Sequence, residues 1–366
     1  MTDGDALRRA IVADPDDDTP RLIYADWLDE NNQPDRAALI RHQIEAERAE
    51  PYSPEARAAE RRADELVAAN GGAWGKHVRA KVVREDYVRG FIGRVVIDVG
   101  RFPEVAPPLF AAEPVQSVEL IRFSPNSGQV SMTAVFGVAE MGRVRDLALP
   151  SGMDGVTEAE FDALADSPRL ANVANLSLDG NRVMPAWLLK LLSGRALPNL
   201  TGLGVSDIAN LGPGLATAAQ QARHRRFKRL VLNGVAFEVL SLQRLLASAC
   251  LSQLEEFTIR PPEGGLNTMS HLDLGWTLPW DTLRKLDLGG QWLGPNAVSE
   301  FARLPECKGL RWLGLAGNRL KSAGVRVLVE SPHLNLNYLD VSDNGLDADD
   351  VAELRERFPK ALVVSE

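Results

Sequence analysis

The sequence predicts an α/β solenoid: a right-handed horseshoe with a concave parallel sheet and convex helices, preceded by a small helical N-terminal domain. Three observations carry this expectation. An apolar triplet of the form L-x-x-L-x-L recurs nine times, the interval between copies stays between 26 and 29 residues, and helix-start signals follow several of the copies. Each unit then supplies a strand and a return helix, and neither can bury its apolar side without the next unit.

The second apolar position of the triplet falls at Val118, Leu147, Leu176, Leu203, Leu230, Phe257, Leu286, Leu313 and Leu339. Its partner three residues earlier is Val115, Val144, Val173, Leu200, Phe227, Leu254, Leu283, Leu310 and Leu336. Two residues later stand Leu120, Leu149, Leu178, Val205, Leu232, Ile259, Leu288, Leu315 and Val341. Alternation along a strand turns one set of side chains into the coil and the other out of it. Between strands, Thr157 with Glu160 fits a capping box, Pro185 suits a first helical position, and Ser322 and Asp347 are candidate N-caps. The run Ala361-Leu362-Val363-Val364 reads as a terminal strand, with no room after it for an effector domain.

The triplets resemble the leucine-rich repeat, and their long period with helical second halves resembles its ribonuclease-inhibitor-like class. The turn asparagine of that family, which the resemblance implies hydrogen-bonds backbone groups between coils, is present at Asn181, Asn318 and Asn344. Equivalent positions hold Phe123, Gly152, Ile208, Val235, Pro262 and Gln291, so an incomplete ladder is expected, with irregular coils over residues 203–270. Pro261, Pro262, Gly264 and Gly265 predict a loop where one helix should begin.

Residues 1–72 repeat nothing later and read as helices. Thr19 is the expected N-cap of one, with Pro20 at its first position and Leu22, Ile23, Trp27 and Leu28 as its buried stripe. Asn31-Asn32-Gln33-Pro34 should end it, Asp35 should cap the next, and a third should run from Ala56 to Ala69 and stop at Asn70-Gly71-Gly72. Asp17, Arg21, Leu22, Tyr24, Ala25, Asp26, Trp27 and Leu28 form a D-x-x-x-R-L-x-Y-A-D-W-L pattern. Over residues 3–50 it resembles the repeat-companion domain that precedes leucine-rich repeats in planctomycete and myxobacterial proteins. That resemblance implies architecture and no reaction; Asp26 and Trp27 are either a docking site or parts of a capping helix. Residues 73–114 then form a connector and capping strand, the strand over Phe91–Asp98, and the repeats occupy 115–366.

A net charge of −9 and a pI near 5.3 oppose general nucleic-acid binding. The acidic N-terminus has no secretory pattern, and no apolar run reaches bilayer-spanning length, so a cytoplasmic location is expected. Cys250 and Cys307, 57 residues apart, should lie two coils from each other, too far for a disulfide, as reduced core or loop thiols. His42, His77, His224, His271 and His333 are dispersed, and neither HExxH nor GxxxxGK[ST] occurs, so no enzyme activity and no cofactor is expected.

The candidate site is therefore a protein-binding face. One outward column across the strands reads Ser117, Asp146, Asn175, Gly202, Arg229, Glu256, Lys285, Trp312, Tyr338; the next ends Thr258, Asp287, Gly314, Asp340. Trp312 and Tyr338 beside Lys285, Glu256 and Arg229, with Arg260 and Arg284 at the border, have the composition of a hot spot. The bland alternative lays Trp312 flat over Gly314 as a cover for the sheet. A protein partner is expected; regulation of an enzyme such as a small GTPase, or acidic-partner or local nucleic-acid binding through the basic runs at 76–94 and 223–229, are the alternatives.

Overall fold

In the computed structural model, residues 2–123, 130–150, 156–180, 184–192, 197–206, 212–222, 224–262 and 278–365 are described. They divide into two compact units, Met1–Ala174 and Asn175–Glu366.

The first unit begins with four helices, α1 (Asp3–Ala13), α2 (Asp18–Glu30), α3 (Pro34–Arg48) and α4 (Pro54–Trp74), then a single turn α5 (Lys76–Arg79). Strands β1 (Arg84–Val88), β2 (Phe91–Asp98), β3 (Ser117–Ile121) and β4 (Asp146–Ala148) follow, with α6 (Phe102–Ala112), α7 (Met132–Phe136) and α8 (Glu158–Asp166). β1 runs antiparallel to β2, and β2, β3 and β4 are parallel neighbours. Ile11, Tyr24, Leu28, Ile40 and Phe91 share one apolar cluster, which ties the helices to the hairpin.

Several local expectations are corrected here. Asp17, and not Thr19, is the N-cap of α2: its carboxylate accepts from the Thr19 N–H at 2.8 Å, a charge-assisted bond at the positive end of the helix. Asp35 does not cap α3, because Pro34 already opens it. α4 does not stop at Asn70 but continues through Gly71 and Gly72, where the Tyr87 hydroxyl donates to the Gly71 carbonyl at 3.0 Å. The connector before β2 contains a strand of its own. Arg89 (φ 47°) and Gly90 (φ 82°) form its two-residue turn, as a primed hairpin requires. A Cβ on Gly90 would lie 2.1 Å from Ile40 Cγ1, so only glycine lets this tip seat on α3. Gln43 pins it from both sides, accepting from Gly90 N at 2.6 Å and donating to Tyr87 O at 2.9 Å.

The D-x-x-x-R-L-x-Y-A-D-W-L residues serve this core. Arg21 is 2% exposed and donates to the carbonyls of Arg89 and Pro15. Burial pushes its guanidinium down to about 10, with the Arg89 charge adding to the effect. Tyr24 stacks on Trp27 at 5.6 Å, and the Trp27 ring lies on Gly4, where a Cβ would come within 2.7 Å. Asp26 pairs with Arg41 at the surface, 73% exposed.

Glu160 joins three segments of the first unit. In the capping box of α8 it accepts from Thr157, and it also accepts from Met132 N and Arg122. Burial alone would raise its pKa, but the Thr157 and Met132 N–H groups and the Arg122 charge outweigh it, and the carboxyl sits below its usual 4.5. A depressed folded-state pKa gives stability that is complete above the unfolded value and disappears as pH falls through the folded one. Below about pH 4.5, Glu160→Gln should therefore converge in stability with the parent, having been less stable at pH 7; parallel urea midpoints across pH 3–7 would disprove this.

The second unit carries the repeats in regular form. Strands β5 (Asn175–Ser177), β6 (Gly202–Ser206), β7 (Arg229–Asn233), β8 (Glu256–Arg260), β9 (Lys285–Asp287), β10 (Trp312–Gly314), β11 (Tyr338–Asp340) and β12 (Leu362–Val364) are parallel neighbours in chain order. Their register aligns Leu176, Leu203, Leu230, Phe257, Leu286, Leu313 and Leu339, the second position of the triplet, in one buried row that Val363 of the terminal strand continues. Burying each such side chain contributes roughly 2 kcal/mol. Helices α9 (Pro185–Leu192), α10 (Gly212–Gln221) and α11 (Val239–Leu246) pack side by side, as do α12 (Pro295–Ala302), α13 (Lys321–Val329) and α14 (Ala348–Arg357). This strand-and-helix succession is the leucine-rich-repeat fold. Thr157 and Asp347 cap their helices as expected, whereas Ser322 lies inside α13 and donates to Asp350.

The turn ladder is longer than the asparagines suggest. Asn318 Nδ2 donates to Leu288 O and Leu315 O, and its Oδ1 accepts from Leu293 N. Asn344 repeats this one coil later with Leu315 O, Val341 O and Leu320 N. Gln291, 2% exposed, donates to Ile259 O, the corresponding carbonyl one coil earlier. A glutamine thus continues the rung where its absence was expected. Asn181, Gly152 and Ile208, and the loop expected at Gly264-Gly265, lie outside the described residues. Cys250 and Cys307 are buried free thiols in single-turn 3-10 segments. Burial raises both, Cys307 to about 12, which keeps them protonated.

Candidate protein-binding face

Alternation sets one residue of each strand outward, and the parallel register lines these up. From β6 to β12 the row reads Gly202, Arg229, Glu256, Lys285, Trp312, Tyr338, Leu362. Trp312 and Tyr338 stack with ring centroids 4.8 Å apart and planes 3° from parallel. Lys285 places its Nζ 4.8 Å from the Trp312 centroid, so cation, indole and phenol form a continuous pile. Both aromatics remain partly exposed.

The neighbouring row explains why the pile holds. At Gly314 a Cβ would fall 2.7 Å from the Trp312 ring and 2.8 Å from Asp287 Oδ1, so glycine admits both groups over the strand. Trp312 therefore does lie on Gly314, and it also stacks on Tyr338. Asp287 is 5% exposed and accepts from Arg260 Nη2 at 2.8 Å and from Gly289 N at 3.0 Å. Tyr338 is raised above its ordinary phenol value by burial, and the Asp340 and Asp287 carboxylates add to the effect. It stays a neutral donor and acceptor.

Five of the seven expected residues, Arg229, Glu256, Lys285, Trp312 and Tyr338, stand in one row, and Arg260 joins through Asp287. Arg229 pairs with Glu256 at 3.3 Å in an exposed contact, worth little to stability. Arg284 belongs elsewhere: its Nη1 donates to Asp281 O and Leu283 O, and it occupies the space a Gly309 Cβ would need. Two exposed apolar residues escaped the sequence reading. Leu362, 46% exposed, extends the row past Tyr338, as continuing the column onto the terminal strand would have shown. Trp292, 55% exposed at φ 56°, stacks under the Arg319 guanidinium at 4.1 Å and sits in a turn that no strand column reaches.

The basic runs are largely neutralised. Arg79 pairs with Glu85, Arg84 and Arg94 with Asp86 and Glu119, and Arg89 with Asp18 and Glu47. In the second run Arg225 is buried and donates to Leu197 O and Leu200 O, while Lys228 pairs with Glu255. Arg223 lies outside the described residues. Among the described residues no helix is long and apolar enough to cross a membrane.

No protein-family model matches the chain, and no curated protein matches it in sequence. Among solved structures it is similar to the complex of Rad7 and Elc1 in yeast, with TM-score 0.38 and 15% identity over 68% of this chain and 75% of that one. It is also similar to an internalin from Listeria monocytogenes, TM-score 0.37 and 14% identity over 75% of this chain and 87% of that one. A leucine-rich-repeat protein of Leptospira interrogans gives TM-score 0.23 and 12% identity over 68% and 90% of the two chains.

Proposed function

We propose that the chain is a non-enzymatic, cytoplasmic scaffold that binds a protein partner on the outward face of its repeat sheet, through Lys285, Trp312, Tyr338 and Leu362, with Glu256, Arg229 and Arg260 at the rim. Residues 1–72 are read as a repeat-companion-type helical domain and 73–114 as a connector and capping strand leading into the repeats from 115 onward. The observation that carries the binding face is the partly exposed Lys285–Trp312–Tyr338 pile. Aromatic anchors with a bordering cation concentrate binding energy in protein interfaces, and rings already held by stacking lose little further freedom on binding.

Affinity capture from lysate, followed by titration of the purified partner, tests the reading. Trp312→Ala/Tyr338→Ala should weaken binding at least about 30-fold, the order expected for losing one hot spot. Charge reversal of residues 223–229 should change it less than about fivefold. If the aromatic double variant keeps every partner while the charge reversal loses them, the face is wrong and the second basic run becomes the site.

A further inference from the structure

A second candidate lies in the first unit. A cavity of about 450 Å³ opens between the C-terminal half of α1 and the turns around β4, lined among others by Arg9, Arg143, Arg145, Gln116 and Asn172. Three arginines line it, Arg9 from α1 and Arg143 and Arg145 from the stretch leading into β4, in a chain whose net charge is −9. No acidic residue lines it.

Asp16, on the α1–α2 turn at its edge, is held by both terminal nitrogens of Arg145 in the two-pronged arrangement guanidinium groups form with carboxylates, and Gln116 Nε2 donates to the same carboxylate at 3.4 Å. Arg143 is not served in this way. It donates to Phe110 O and Val12 O, both neutral carbonyls, and lies 5.5 Å over the Phe110 ring. Its partial burial disfavours the charged form, and the Glu140 charge acts the other way without offsetting it. A cation withdrawn from water and bonded only to carbonyls is under-compensated, and an anion in the adjoining cavity removes that cost.

We propose that this cavity is a binding site for a small oxyanion-bearing molecule, whose acidic groups are read by Arg143 and Arg9 while Asp16 on Arg145 acts as a resident competitor at its edge. The cavity is of the size that accommodates small-molecule ligands. A carboxylate and a phosphate present the same oxygen acceptors to a guanidinium, so either is a possible source.

Titration of the full chain with citrate, inorganic phosphate and neutral glycerol, followed by calorimetry, separates these. One anion or both should bind with 1:1 stoichiometry and Kd on the order of 1 mM or tighter, and glycerol should not bind. Citrate alone assigns the source as a carboxylate, phosphate alone as a phosphate, and either result supports the site. Asp16→Asn removes the competitor and should tighten binding about threefold or more, whereas Arg9→Gln, an exposed position chosen because Arg143 also holds the fold, should weaken it about as much. No saturable binding of either anion up to about 10 mM, or affinities the same in parent, Asp16→Asn and Arg9→Gln, overturns the proposal.

Discussion

Glu113→Ala should destabilise the protein by about 3 kcal/mol, the order expected when one partner of a buried charge network is deleted. The Glu113 side chain is 1% exposed at the end of α6 and accepts from Ile92 N at 3.0 Å, contacts His77 Nε2 at 3.0 Å and pairs with Arg8 at 3.3 Å. It also compensates Arg36, which burial against Trp74, Tyr87 and Phe91 holds below the ordinary arginine range. Alanine would leave a β2 amide without its acceptor and a cation in an aromatic box without its counter-charge. Glu113→Gln, which can still accept from Ile92 N, should lose clearly less. Urea unfolding reads both, and equal midpoints for the two variants would contradict this account of the carboxylate.

Asn318→Ala is expected to cost a similar amount, about 3 kcal/mol, for a different reason. It charges nothing and uncharges nothing; it strips partners from the carbonyls of Leu288 and Leu315 and from the Leu293 amide, in a residue only 6% exposed. Because coils interact with their neighbours, the damage should stay close to β9 and β10. Native-state hydrogen exchange should show faster exchange at Leu293 with little change at Leu203. Uniform loss of protection across residues 175–366 would mean that the unit unfolds as a whole and that the rung has no local role.

The strands of the repeat were the most legible part of the chain. Their positions follow from a three-point apolar pattern, and every triplet appears at a strand where it was expected. Helix boundaries were harder, because they are decided by competition over single hydrogen bonds: Asp17 takes the cap that Thr19 was expected to hold, and Gly71 stays helical because Tyr87 bonds its carbonyl. β1 was hidden by its charges, since a strand written Arg84-Glu85-Asp86 has no apolar period, and its pairing depends on a hairpin tip fitted to Ile40. Gln291 departs from the family's asparagine in residue type but not in the bond it makes. Its longer side chain still reaches the Ile259 carbonyl. The aromatic row was readable from strand register, but the Trp312–Tyr338 stack, the Asp287–Arg260 brace and the departure of Arg284 depend on rotamers that a column of letters does not contain.

The side-chain rungs at Gln291, Asn318 and Asn344 also bear on how such a chain grows. Each amide finds its acceptor in the preceding coil at the same place in the triplet, Ile259, Leu288 or Leu315. A coil copied in phase arrives with a donor for the coil before it and an acceptor for the coil after it, so duplication leaves no amide stranded. A copy shifted by a few residues would bury an amide against nothing, at a cost of about 1–3 kcal/mol per orphaned group. The rungs are therefore satisfied by adding or removing a whole coil and broken by adding or removing part of one.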